Sequence, residues 1–312
     1  MTAKADQEID ISFSGELCPS LILQDPRILF IVDVSGSMAD QQDTFFGIPV
    51  GPVTPGADHF QDGSCGRYEA IKSILEKTKS GEATQTGRAG LVLFGSGIHE
   101  NSLEFSSLDD FEAQISPESI CIGDNGTNYE QAFLTAKEWL DAEQGMLKLA
   151  YFISDGIPTE INNGFAPNQA EINQTSINAG KALTELGNTK LFQVFLGEAS
   201  PENLEVMEGI AGSDAQNSIK DVANVSDLAK VLTDFSIVEI NQDNLMIKVD
   251  QSAPLTLSRF EEVASGSSTK WEWAAESLLI PGDLEQLELS IELLSEHIEP
   301  ISKDITISIT RD

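Results

Sequence analysis

Four short apolar runs punctuate the first three-quarters of the chain: ILFIVDV (28–34), AGLVLFG (89–95), KLAYFIS (148–154) and KLFQVFLG (190–197). Runs of this length, rich in branched and aromatic residues and bounded by charge or glycine, are read as strands buried on both faces. The stretches between them change period. Ala70, Ile71, Ile74 and Leu75 fall at helical spacing, and so do Ala132, Phe133, Ala136, Trp139 and Leu140. The pattern predicts helices over about residues 68–79, 128–142, 171–186 and 226–238, the last opened by Ser226 and Asp227. Apolar strands alternating with amphipathic helices predict an α/β fold, a doubly wound and mostly parallel sheet with helices on both faces, over about residues 24–239.

Beyond residue 240 the period becomes two. Leu245, Ile247 and Val249 alternate with polar neighbours, as do Leu287, Leu289, Ile291 and Leu293, and then Ile305, Ile307 and Ile309. Such alternation marks half-buried strands, and the turn signals between them predict a smaller antiparallel β-sandwich module over residues 240–312. Ile11 and Phe13 alternate with Ser12 and Ser14. Residues of about 9–17 are therefore expected to pair with the C-terminal strands, which makes the α/β domain an insertion into the β module.

Composition alters this picture in one respect. Across 312 residues there are 18 Lys and Arg against 51 Asp and Glu, a formal net charge of −33. A surface this negative repels phosphate backbones and anionic lipid, so nucleic-acid binding is excluded as an expectation. The start, MTAKADQEID, lacks the basic and apolar regions of an export signal, and no apolar run reaches bilayer length. A segment of a larger exported protein remains compatible with both facts. Cys18, Cys65 and Cys121 show no metal spacing. Cys65 and Cys121 can pair if the fold brings their loops together; three unpaired thiols are the alternative.

Candidate chemistry gathers at three places. DVSGSM (33–38) directly follows the first strand, so Asp33, Ser35 and Ser37 alternate on a turn that Gly36 allows to bend. GTNYEQAF (126–133) sets Thr127 at the opening of a helix, and SDGIPT (154–159) sets Asp155 just after another strand. In a doubly wound sheet the carboxyl ends of the strands form the ligand-binding edge, and all three elements fall there. Carboxylate and hydroxyl oxygens suit Mg²⁺, Ca²⁺ or Mn²⁺ rather than zinc or copper. By themselves, Thr127 also reads as a helix cap and Asp155 as a turn former.

Taken together, these three elements resemble the metal-ion-dependent adhesion site of von Willebrand factor A domains, the family that includes integrin I domains. The resemblance covers about residues 24–239. It implies that Ser35 and Ser37 bind a divalent cation directly. Thr127 would do so in one conformational state, and Asp33 and Asp155 would often act through water. The last coordination position would be left to a carboxylate of the partner. Mg²⁺ is the implied cofactor, with Mn²⁺ or Ca²⁺ as substitutes.

The loop between Met38 and Tyr68 is long for a compact domain, and such insertions often shape binding. Its Phe45, Phe46 and Phe60, with Asn128 beside the metal elements, are the expected ligand-binding surface. Asp40, Asp43, Asp58 and Asp62 are candidates for an additional Ca²⁺. Because the loop and the segment of Cys121 both start beside the metal elements, Cys65–Cys121 is the favoured pairing. No catalytic residues are assigned: His59, His99 and His297 are scattered, and no phosphate-binding or dinucleotide fingerprint occurs. The expectation is a non-enzymatic, metal-dependent adhesion module, extracellular or on a bacterial cell surface, that does not insert into membranes and engages a protein or glycan. The alternative is a cytoplasmic adaptor of the same fold working beside an ATPase.

Overall fold

The computed structural model describes residues 26–38, 65–79, 87–124, 126–143, 147–162, 168–197, 199–222 and 227–233, together with strand segments 2–4, 8–9, 12–17, 44–45, 48–49, 245–249, 257–265, 268–275, 278–279, 286–295 and 298–310. The chain divides into two compact units, Leu23–Ile237 and the pair of segments Met1–Ile22 and Val238–Asp312.

The larger unit has a main sheet of six strands: β1 (Arg27–Asp33), β2 (Arg88–Phe94), β3 (Leu103–Ser107), β4 (Lys148–Ser154), β5 (Thr189–Leu196) and β6 (Ile219–Val222). Its helices are α1 (Gly66–Lys79), α2 (Leu108–Gln114), α3 (Pro117–Ile120), α4 (Tyr129–Ala142), α5 (Gln169–Thr184), α6 (Pro201–Ala211), α7 (Ala215–Ser218) and α8 (Leu228–Thr233). The sheet order is β6-β5-β4-β1-β2-β3, and every pairing is parallel except β2 with β3. This is a doubly wound α/β sheet with one antiparallel edge. Strand β1 is central and buried from end to end, which is why its sequence is apolar without interruption.

Successive residues of β1 serve opposite faces. Leu29 and Ile31 join Phe94, Phe152, Tyr129 and Phe133 in the core beneath α4, α5 and α6. Phe30 faces the other way, stacking on Phe111 of α2 and on Tyr151, which in turn meets Phe192. Helices α5 and α6 approach unusually closely: a Cβ on Gly180 would lie 2.6 Å from Ile210, and one on Gly209 would lie 2.7 Å from Ile177. Each glycine makes room for the isoleucine of the facing helix.

In the second unit, a four-stranded sheet runs in the order Thr2–Lys4, Ile298–Thr310, Gln286–Ser295, Leu245–Val249. A three-stranded sheet joins Leu257–Ser265, Ser268–Ala275 and Ser12–Leu17, with Phe13 opposite Trp273. Glu8–Ile9 pairs with Leu278–Leu279. The first and last parts of the chain thus share their sheets. One ladder departs from the antiparallel expectation: Thr2–Lys4 runs parallel to Ser308–Thr310.

Candidate metal centre

The site is built where the strand order reverses. Strand β1 lies between β4 and β2, which makes the carboxyl ends of these strands the switch point where sheets of this kind bind ligands. Asp33 is the final residue of β1, and Asp155 follows the final residue of β4. The third wall is the segment before α4. Asp124 pairs with Ser35 in an isolated parallel bridge and donates its N–H to the Val34 carbonyl at 2.5 Å. The N–H of Asn128 reaches the Gly95 carbonyl at 2.8 Å, anchoring the same segment to the end of β2. Gly126 makes this path possible. Its φ is +61°, and a side chain there would run into Ser96 and Glu160.

Four of the five residues expected to hold a cation form one continuous hydrogen-bonded chain. Asp33 Oδ1 accepts the Ser35 N–H at 2.7 Å, Ser35 Oγ lies 3.1 Å from Ser37 Oγ, and Ser37 Oγ donates to Asp155 Oδ1 at 2.8 Å. Either serine can donate in the middle link. Asp33 and Ser35 are buried, whereas Ser37 stands exposed at the mouth. Thr127 is buried, at 5 % exposure. Its backbone is tied in both directions to Thr159, with Thr127 N–H to Thr159 Oγ1 at 2.9 Å and Thr159 N–H to the Thr127 carbonyl at 2.8 Å. Among the described residues its hydroxyl makes no hydrogen bond to the other four.

Three further side chains complete the setting. Ser154 donates to Asp33 Oδ2 at 2.6 Å, and Tyr129 presents its hydroxyl to Ser154 Oγ at 2.8 Å and to the Gly156 carbonyl at 2.5 Å. Arg67, the largest fully buried side chain among the described residues, donates from Nη1 to the Asp33 carbonyl at 2.8 Å. None of the three carries a signal at the sequence level, since a lone Ser, Tyr or Arg next to an apolar run fits any core.

The electrostatics are unbalanced. Burial raises the pKa of Asp33, against the hydrogen bonds from Ser154 and Ser35. Burial, and then the neighbouring Asp33 charge, push Asp155 up to about 7. Asp155 Oδ2 is buried with no hydrogen-bond partner. An orphaned carboxylate oxygen in a pocket that disfavours two adjacent negative charges is relieved by a cation. Among the described residues no three His, Cys, Asp or Glu side chains gather as a metal cage. A cation here would rest on two carboxylates and on hydroxyls, a donor set that suits a hard ion retaining some water. The residues fit the group.

The expected ligand surface fares differently. Asn128 is 2 % exposed, and its amide is occupied: Oδ1 caps α4 through the Gln131 N–H at 3.0 Å, while Nδ2 reaches the Ser96 carbonyl at 3.2 Å. It shapes the loop rather than facing a partner, because a helix start buried at this position needs a capping side chain. Phe45 lies on a two-residue strand paired with Ile48–Pro49. Phe46, Phe60, Asp40, Asp43, Asp58 and Asp62 lie outside the described residues. Cys65 and Cys121 form a disulfide with Cα atoms 6.1 Å apart, so the entry to α1 is fastened to the segment that leads to Asp124 and Thr127.

No family model and no curated protein matches the sequence. Solved structures do match. A mutant of the PilB minor pilin from Streptococcus sanguinis superposes with a TM-score of 0.51 at 15% identity, over 68% of this chain and 60% of that one. The von Willebrand factor domain of the type V pili tip protein Mfa5 from Porphyromonas gingivalis gives 0.49 at 12% identity, over 68% of this chain and 93% of that one. A von Willebrand factor type A protein from Catenulispora acidiphila gives 0.45 at 14% identity, over 99% and 71%. The chain thus spans less than two-thirds of the pilin it matches. The sheet order, the single antiparallel edge strand and the helices on both faces make Leu23–Ile237 a doubly wound α/β domain, the architecture that the resemblance to von Willebrand factor A domains implies.

Proposed function

We propose that this protein is a non-catalytic adhesion or ligand-binding module in which a divalent cation, Mg²⁺ or its Mn²⁺ or Ca²⁺ substitutes, receives an acidic group of a protein or glycan partner. The observation that carries the reading is the Asp33–Ser35–Ser37–Asp155 chain with its partnerless buried Asp155 oxygen. Asp33, Ser35, Ser37 and Asp155 would hold the cation, and Thr127 would offer a further hydroxyl. The bound ion supplies an electrophilic centre for an incoming carboxylate, which answers how a chain of net charge −33 can recognise an acidic group. The protein's part is orientation. Ser154 and Tyr129 fix the Asp33 carboxylate, Arg67 fixes its backbone, and exposed Ser37 stands where a partner arrives.

A cell-surface setting agrees with the Cys65–Cys121 disulfide, since such bonds persist in oxidising compartments and are rare in cytosol. The likeness to a minor pilin supports a place within a larger bacterial surface protein. The disulfide weighs against the cytoplasmic adaptor.

The test is capture of partners by immobilised protein from cell-surface material and from cytosolic lysate, each in Mg²⁺ and in EDTA, with Ser37→Ala as the control. A surface partner held only with Mg²⁺ and intact Ser37 is the expected result. Binding indifferent to EDTA would make the site structural and the reading wrong. A metal-dependent partner found in cytosol alone would replace the surface role with the adaptor role.

A further inference from the structure

Beneath the cation site lies a charge that takes no part in holding a cation. Arg67 is the second residue of α1, fully buried, with Nη1 2.8 Å from the carbonyl of Asp33. Its position is fixed from two sides, by the helix it belongs to and by the Cys65–Cys121 bond two residues before it. The contact with the Asp33 carbonyl sets the guanidinium behind the backbone of the residue that supplies one of the site carboxylates. A guanidinium stays charged at any physiological pH, so this positive charge is permanent.

We infer that Arg67 is a built-in counter-charge of the cation site, which loosens the site's hold on a divalent ion and makes the loaded site more attractive to an anionic partner. The inference rests on the metal reading proposed above. Its physics is a sign argument. In the metal-free protein, Arg67 offsets part of the repulsion between the buried Asp33 carboxylate and the half-buried Asp155 carboxylate. With a divalent cation present, the same charge repels it and adds to the positive field that an incoming carboxylate meets. A purely structural Arg67, serving only to tether the Asp33 carbonyl, predicts the opposite for the cation: loss of the tether loosens the site and weakens binding.

Arg67→Met removes the charge and keeps most of the side-chain volume; Arg67→Lys keeps the charge. Mn²⁺ affinity of the full chain is measured by calorimetry, beside the melting temperature in EDTA and in saturating Mn²⁺. Arg67→Met is expected to bind Mn²⁺ about tenfold more tightly or better, and to gain more in melting temperature from Mn²⁺ than wild type does. Arg67→Lys is expected within about threefold of wild type. Weaker binding by Arg67→Met, or equal tightening by Arg67→Lys, overturns the inference. If Arg67→Met does not fold in EDTA, recovery of the fold by Mn²⁺ supports the inference and failure to recover overturns it. Acetate tests the partner side: at equal Mn²⁺ occupancy, relaxation of the acetate methyl protons is expected to be smaller in Arg67→Met than in wild type. Equal or greater relaxation overturns that half of the claim. A wild type that binds no Mn²⁺ at all defeats the metal reading itself, and the inference with it, whereas wild-type binding without tightening in Arg67→Met defeats the inference alone.

Discussion

Asp155 carries a consequence for stability whose sign is fixed by its surroundings. In the folded, metal-free protein it holds its proton up to about pH 7, whereas in the unfolded chain it ionises near its ordinary value of 3.8. The folded state therefore binds the extra proton between these values, and stability drains away as pH rises through that window. In EDTA the melting temperature is expected to fall between about pH 4 and pH 7, and Asp155→Asn should flatten the slope. Parallel slopes for the two proteins would show that Asp155 is not the group responsible. Ser37 and Ser154 offer a contrast. Ser37→Ala, at an exposed position, should leave the melting temperature in EDTA nearly unchanged while lowering Mg²⁺ affinity at least about tenfold. Ser154→Ala strips a buried carboxylate oxygen of its donor and should cost roughly 1–3 kcal/mol in denaturant titration even without metal. At this scale the sequence shows what alternates or follows a strand: Asp33, Ser35, Ser37 and Asp155 meet. It does not show Arg67, Ser154 or Tyr129, whose roles depend on contacts 25 to 121 residues away in the chain. Asn128 shows the converse, a polar residue placed correctly in sequence whose side chain turns inward to cap α4.

Among elements, legibility follows burial. Strands β1, β2, β4 and β5 are nearly continuous apolar runs because both of their faces are covered. Strand β3 is half exposed along its length, reads LEFSS, and passes unnoticed for that reason. Helix α6 escapes notice too, although Ser200 caps it and Pro201 opens it, since the preceding strand was not followed by a recognisable period. The close approach of α5 and α6 is invisible in sequence, where Gly180 and Gly209 look like interruptions. Gly180→Ala should destabilise the protein by about 1–3 kcal/mol through overpacking against Ile210, yet leave Mg²⁺ affinity unaltered, because neither helix supplies a site residue. A stabilised variant would mean that the two helices can separate at little cost. The disulfide works on a different element pair. It spans 56 residues, so its removal as Cys65→Ser with Cys121→Ser should cost about 4 kcal/mol by the loop-entropy estimate. Metal affinity should fall with it, since the bond joins α1 to the segment paired with Ser35.

For the molecule as a whole, the charge of −33 is a steady internal repulsion that compactness must overcome. Sodium chloride raised from about 0.05 to 0.5 M should therefore increase the melting temperature, with most of the gain at the low end where screening changes fastest. An unchanged melting temperature would place the acidic groups too far apart to matter. The α/β unit, Leu23–Ile237, is spliced into a second unit formed by both outer segments of the chain. In that second unit Thr2–Lys4 lies parallel to Ser308–Thr310. A pull applied in opposite directions at residues 2 and 310 would thus load the three residue pairs of that ladder together, in shear, instead of peeling them apart one at a time. Tension would cross from one outer segment to the other without passing along the backbone of the inserted unit, and Asp33, Ser37 and Asp155 would keep their spacing while the protein is under mechanical strain.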